Sequence, residues 1–460
     1  MKKLFISAVA LFATVLGVKA QEVVDSVAIL EQQKVESYNE TVQQQMTYDR
    51  SSLAVAMILH TEDEFGQDIR VAFEGMPFPD KYDNHDVGLK VIDNASIKGV
   101  AKKHDGLIKA RYGKKLNAND VQKNADALLG ILNNAHVANY MIAKWFGLYD
   151  SNVCNMDLIK ERGQYNATEL DVAIAKQSVR GLSMLSDAGE MLIANTYLLI
   201  NDMTYVTAEE RAAVAKGVMS VVGALADGIL GTSTFSDLAA TGSAIADSFT
   251  GFSVKNHSYL FRLNWNDEIA AIFYDEYYMT EPNPTLLEKF LKDERFSLSY
   301  VAHEYEFGEK NAVKGKYDRH DLVKMVCTRS MDKNIAALQL QYEDFKVKTP
   351  IHEVVLNQKG KVQGYAVKIG LKEGISEKSS FQVVRKEVDP DTKKTKYRYV
   401  ATLKPVKGKI WDNRFMAAED DDNKDKDAAA LTYTLMKKVA GGEVLPGMLV
   451  IEGKYSKVQE

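Results

Sequence analysis

Residues 365–387 read YAVKIGLKEGISEKSSFQVVRKE. Two alternating runs flank a pair of glycines, Gly370 and Gly374, four residues apart. The spacing matches neither GxGxxG nor the P-loop, because no Lys-Ser or Lys-Thr pair follows Gly374 to meet a phosphate and its magnesium ion. Each glycine is instead expected to permit a φ > 0 turn where an alternating strand ends. Side chains alternate along a strand, so Tyr365, Val367 and Ile369 line one face, and Phe381 and Val383 the equivalent face of the next strand.

The same texture extends on both sides. HEVVLNQ (352–358), YRYVATLKPV (397–406), GKIWDNRFMAAE (408–419) and GMLVIEGKY (447–455) read as further short strands. VDPDTKKTKY (388–397) is a hairpin loop, marked by Asp389-Pro390-Asp391. Short strands with turn punctuation predict a small all-β barrel or sandwich domain over 346–460.

Upstream the period changes. RSSLAVAMILH (50–60) is an apolar run of strand length, and EDEFGQDIRVAFEGM (62–76) places Ile69, Phe73 and Met76 at helical spacing before Pro77 and Pro79. From about 96 to 195 the pattern is helical, with Val121, Ala125, Leu128, Leu129 and Leu132 on one face and Asn119 or Asp120 as N-cap. TYLLINDMTYV (196–206) is a second central strand. SYLFRLNW (258–265), EIAAIFYDEYYM (268–279) and FSLSYVAHEYEF (296–307) read as strands, the first two paired antiparallel across a short turn. DRHDLVKMVCTRSMDKNIAALQLQYEDF (318–345) is a long helix with Leu322, Met325, Val326, Met331 and Ile335 on its buried face. The fold class expected is therefore α+β: a mixed α/β main domain over 49–345, followed by the C-terminal β domain.

Residues 208–251 form an Ala/Gly-rich insertion, read as one or two amphipathic helices packed on the main domain. Its small residues would suit a membrane-inserting hairpin, but Asp227, Asp237 and Asp247 interrupt every run, and each is costly in mid-bilayer. Peripheral contact with a membrane through 208–251 stays open.

MKKLFISAVALFATVLGVKA (1–20) has the charged start, apolar stretch and small residue of a signal peptide, and 21–48 is a polar leader. The apolar stretch is shorter than the roughly 20 residues of a membrane span. Removing Lys2, Lys3 and Lys19 from the 58 basic residues leaves 55 against 63 acidic ones, a formal charge of −8. Such a chain gains little from counterion release, so nucleic acid is not an expected partner. Cys154 and Cys327 could pair in an oxidising compartment, or Cys327 could face the apolar side of its helix as a small hydrophobe.

Candidate chemistry is sparse. The chain has no HExxH, CxxC or GxSxG. In HEYE (303–306), His303 and Glu304 point to opposite faces of a strand, which leaves Glu306 to share a side with Glu304. In YDRHD (317–321), Asp318 and Asp321 suit a helix cap and first turn. DDNKDKD (421–427) alternates Asp421, Asn423, Asp425 and Asp427 like a calcium loop, but Lys426 and Thr432 stand where Gly and Glu belong, so it reads as a solvated acidic loop. No residue is assigned a catalytic, cofactor-binding or metal-ligating role.

RSSLAVAMILH with PFPDKYDNHD (77–86), NTYLLINDMTY (195–205), LNWNDEIAAIFYDEYY (263–278) and KIGLKEGISEKSSFQVV with KGKIWDNRF (407–415) resemble a family of exported Bacteroidetes proteins that carries no assigned activity. The layout is also similar to envelope assembly factors of the curli-secretion and flagellar-assembly type, whose small SH3-like barrel begins with a stretch like GLKEG. The resemblance implies a periplasmic or outer-membrane-associated protein. The expected function is non-enzymatic, in protein–protein interaction or envelope assembly, with other envelope proteins as partners and no cofactor. The competing reading is a secreted hydrolase whose carboxylates, such as Glu304, Glu306 and Asp318, are assembled by the fold.

Overall fold

The computed structural model describes residues 51–100, 107, 116–159, 192–207, 249–313, 317–388, 395–420 and 426–452. The expected signal peptide and polar leader, the insertion up to residue 248 and the acidic loop 421–425 lie outside the described residues.

In chain order the elements are β1 (Ser52–Leu59), α1 (Gly66–Glu74), β2 (Asp83–Asn84), β3 (Val91–Asp93), α2 (Asn94–Val100), α3 (Ala118–Asn134), α4 (Val137–Trp145) and α5 (Leu148–Ser151). There follow β4 (Thr196–Tyr205), β5 (Phe249–Leu263), α6 (Asp267–Glu276), α7 (Pro284–Leu291), β6 (Leu298–Val313) and α8 (Arg319–Gln341). The chain continues with β7 (Thr349–Leu356), β8 (Val362–Val367), β9 (Phe381–Val388), β10 (Thr395–Pro405), α9 (Lys426–Ala429), β11 (Thr434–Gly441) and β12 (Leu449–Glu452). The protein is α+β, with a mixed sheet ordered β2-β1-β4-β5-β6, β3 also pairing β1, and a closed barrel ordered β10-β11-β8-β7-β12-β9. Every pairing in the barrel is antiparallel.

β1 lies parallel to β2, β3 and β4, while β5 runs antiparallel to its two neighbours, β4 and β6. Both faces of the sheet are covered, which is why β1 and β4 read as continuous apolar runs rather than alternating ones. Ala54, Ala56, Ile58, Leu198 and Ile200 face a core shared with α3, α4, α6 and α7. Leu53, Met57, Tyr197, Leu199 and Leu260 face the other core, under α1 and α8. Cys154 belongs to the first core and Cys327 to the second, and both are unpaired. The two thiols thus sit on opposite sides of the sheet, and Cys327 is the small hydrophobe on its helix.

Three expectations are corrected. Residues 268–279 form the helix α6 rather than a strand: Asn266 caps it by accepting from the Ile269 N–H at 2.9 Å, Asp267 and Glu268 occupy the first turn, and Phe273 is fully buried. The strand edge that it was expected to cover is taken by β6, paired with β5 from Leu263↔Leu298 to Phe249↔Val313. The N-cap of α3 is Asn117, which accepts from the Asp120 N–H at 2.9 Å, so Asp120 is a first-turn acid. In the barrel, 408–419 is an irregular crossing, and its place in the ring is taken by β11.

The glycine pair is half as expected. Gly374 has φ 75, as a turn glycine should, but Gly370 has φ −155, an extended conformation open to any residue. A Cβ on Gly370 would lie 2.2 Å from the Trp411 carbonyl oxygen and 2.6 Å from Asn413 Oδ1, so close approach of backbone is its role. Tyr365, Val367, Ile369, Phe381 and Val383 meet inside the barrel as the alternation requires.

Candidate functional site

Helix α8 is buried on two sides. Asp318 caps it, accepting from the His320 N–H at 2.7 Å, and Leu322, Val326, Met331, Ile335 and Leu338 pack on the sheet. Arg329, Asp332, Lys333 and Ala336 recur at i, i+3, i+4 and i+7, and form a second stripe that faces the barrel.

The barrel reaches this stripe through two segments. The first is the turn 370–374. Glu373 folds back to accept from the Gly370 N–H (2.6 Å) and from Asn413 Nδ2 (2.8 Å), while the Lys372 N–H donates to Asn413 Oδ1 (2.9 Å). That fixed turn carries Lys372 towards α8, where its Nζ donates to Asp80 at 2.8 Å. The second segment is the crossing after β10. Met416 adopts φ 55, and the Phe415 and Met416 carbonyls accept from Arg329 at 2.9 and 3.2 Å. The stretch 370–374 is thus a docking device between barrel and helix.

Between β6, α8 and these segments lies a cavity of about 350 Å³. Its bases each hold an acid. Asp420 accepts from Lys310 Nζ (2.6 Å) and Arg329 Nη1 (2.8 Å), Arg414 is bidentate on Asp412 (2.8 and 2.7 Å), and Lys333 Nζ donates to Glu306. Burial alone would push the Asp420 carboxyl up, but the hydrogen bonds from Lys310 and Arg329 hold it below the usual range.

Asp332 is the exception. It is 8 % exposed and lines both this cavity and a smaller one beside Asp80 and Glu373. Among the described residues no hydrogen bond or ion pair reaches its carboxylate. Burial pushes its pKa up to about 7; Glu373 and Asp80 add to the rise, and Lys372 and Arg329 oppose it. Lys372 stays charged: burial works against its proton, but Asp332 and Asp80 hold its pKa above the ordinary value.

A separate row of polar groups crosses the opposite face of the sheet. His60 Nε2 lies 2.6 Å from Asp202 Oδ1, and His257 Nδ1 lies 2.9 Å from His303 Nε2. His303 is held neutral, its pKa lowered to about 3 by burial and by His257. Among the described residues no group of three or more His, Cys, Asp or Glu is arranged to hold a metal ion.

The scattered acids are not brought to one point of chemistry. Glu304 accepts from Gln341 Nε2 and Glu306 from Lys333 Nζ, both against α8, whereas Asp318 is spent on the helix cap. Asp332, which none of the sequence patterns singled out, is the distinctive carboxylate. Its signal was the i, i+3, i+4 grouping of Arg329, Asp332 and Lys333 on a helix whose other side is apolar.

The barrel also carries apolar residues on its outside. Val362 on β8, Tyr399 on β10 and Val439 on β11 are 54 %, 41 % and 53 % exposed, and β10, β11 and β8 are consecutive in the ring. No helix among the described residues is long and apolar enough to cross a membrane. In comparison with known proteins, the chain matches no protein-family model and no curated protein.

Proposed function

We propose that the protein is an exported, non-enzymatic interaction component of the cell envelope, periplasmic or outer-membrane-associated, that binds other envelope proteins through its C-terminal barrel. The observation that supports this reading is the set of exposed apolar residues on three consecutive barrel strands, Val362, Tyr399 and Val439. Exposed apolar residues on one side of a rigid scaffold are what a partner covers, and aromatic residues such as Tyr399 supply contact area at small entropic cost. Export rests on the pattern of residues 1–20 and on the likeness to exported proteins. The mixed sheet would then serve as the platform that presents the barrel.

The test is fractionation of the native cell combined with site-specific cross-linking. A photoreactive residue at position 399 should trap envelope proteins, and Val362→Ser together with Val439→Ser should abolish the adduct while leaving the fold intact by circular dichroism. A protein that stays in the cytosol with residues 1–20 attached, or adducts that survive the double substitution, would refute the reading.

A further inference from the structure

We propose that the cavity between β6, α8 and the barrel is a binding site for a small molecule bearing a protonated primary amine, with Asp332 as its counter-ion. The argument starts from charge accounting on the cavity wall. Lys310, Arg329, Lys333, Lys372 and Arg414 each face an acid that holds them, namely Asp420, Asp420, Glu306, Asp80 and Asp412. Asp332 has no base within ion-pair distance among the described residues. The five bases and the five acids, Asp332 included, balance in number, but Asp420 takes two of the bases, so the acid left without a direct partner is Asp332, a carboxylate more than nine-tenths buried. A buried carboxylate without a donor is costly, and structures keep such a group where something else completes it.

The space fits the inference. About 350 Å³ lies within the range of small-molecule sites, and it opens on the side chain that lacks a partner. The groups that face Asp332 are Lys372 and Glu373 from the barrel turn, Asp80 from the loop after α1, and Arg329 from its own helix. Lys372 is held away by Asp80, so the barrel's nearest base does not fill the role. An ammonium group at Asp332 would complete the pairing, and Arg329 and Lys333 on the same wall would donate to acceptor atoms of the ligand. This site is separate from the outer barrel strands and stands or falls independently of them.

Titration of the full chain with ethanolamine at pH 8, followed by calorimetry and by thermal unfolding, tests the inference, with glycerol and sodium chloride as controls. Expected are a saturable heat and a rise in unfolding temperature for ethanolamine alone, because a ligand that binds only the folded state raises stability. Affinity should fall about tenfold from pH 8 to pH 6, as Asp332 takes up its proton. Asp332→Asn should lose at least about tenfold in affinity. Leu371→Trp, which fills the cavity and leaves Asp332 in place, should lose binding as well. No saturable response to ethanolamine, as expected if water alone solvates Asp332, would overturn the inference; so would undiminished binding by either variant.

Discussion

Asp332→Asn keeps the shape of a buried side chain and deletes its charge, so it isolates the cost of ionising a carboxylate against α8. Burial, the largest cause, pushes Asp332 up to about 7, while an unfolded carboxyl titrates at about 3.9. Between those values the folded chain binds more protons than the unfolded one. Stability therefore falls as pH rises through this window, and the full penalty stands above pH 7. About three pKa units at about 1.4 kcal/mol each give a penalty of about 4 kcal/mol, which the Asn variant lacks. The constant difference between an amide and a neutral carboxyl is the same at every pH, so the pH dependence carries the test. Urea unfolding of both proteins, followed by the fluorescence of Trp145, Trp265 and Trp411, should be measured from pH 5 to pH 8. The variant should gain on the wild type by about 2–3 kcal/mol across that interval. Parallel stability profiles for the two proteins would show that Asp332 titrates normally, and would refute the electrostatic argument.

Gly370→Ala should destabilise the protein by about 2–4 kcal/mol, because its Cβ meets the Trp411 carbonyl, while Gly374→Ala should cost about 1 kcal/mol from its positive φ alone; chemical denaturation gives the ranking, and the reverse order would contradict the contacts. Phe273→Ala should cost about 3–5 kcal/mol, since the ring is fully buried among Phe146, Phe290 and Phe296, whereas a strand at 268–279 with this residue exposed would tolerate the change. Both cysteines should resist thiol reagents in the native protein and react once it is unfolded, Cys327 in particular because burial pushes its thiol up to about 12; intact mass after labelling counts the modified thiols.

Elements whose signal is local were legible. The apolar runs of β1 and β4, the spacing of α1, and the cap and stripe of α8 depend on neighbours within a few residues, and the structure has them close to their expected bounds. EIAAIFYDEYYM was ambiguous because apolar and aromatic residues satisfy either period over so short a stretch. The signals that favour a helix were Asn266 followed by two acids, but the deciding fact was occupancy of the β5 edge by β6, about thirty-five residues further on in the chain. β11 was missed because residues 437–441 are all exposed, so no alternation marks them. GKIWDNRF looked like a strand, yet its backbone is committed to Leu371 and its continuation to Arg329.

Residue order alone was enough to read the class of the protein: a layer of buried strands and amphipathic helices, then a run of short alternating strands with turns between them. Periodicity carries that information because it reports which side of each element leaves water. It took the packed fold to show that the turn 370–374 docks on α8, that Gly370 is small to admit a carbonyl rather than to bend the chain, and that Asp332 is an acid without a base. An isolated helix shows Arg329, Asp332 and Lys333 as an ordinary solvated stripe. The desolvation that sets Asp332 apart comes from barrel residues some forty or more positions away in sequence, and no local pattern records it.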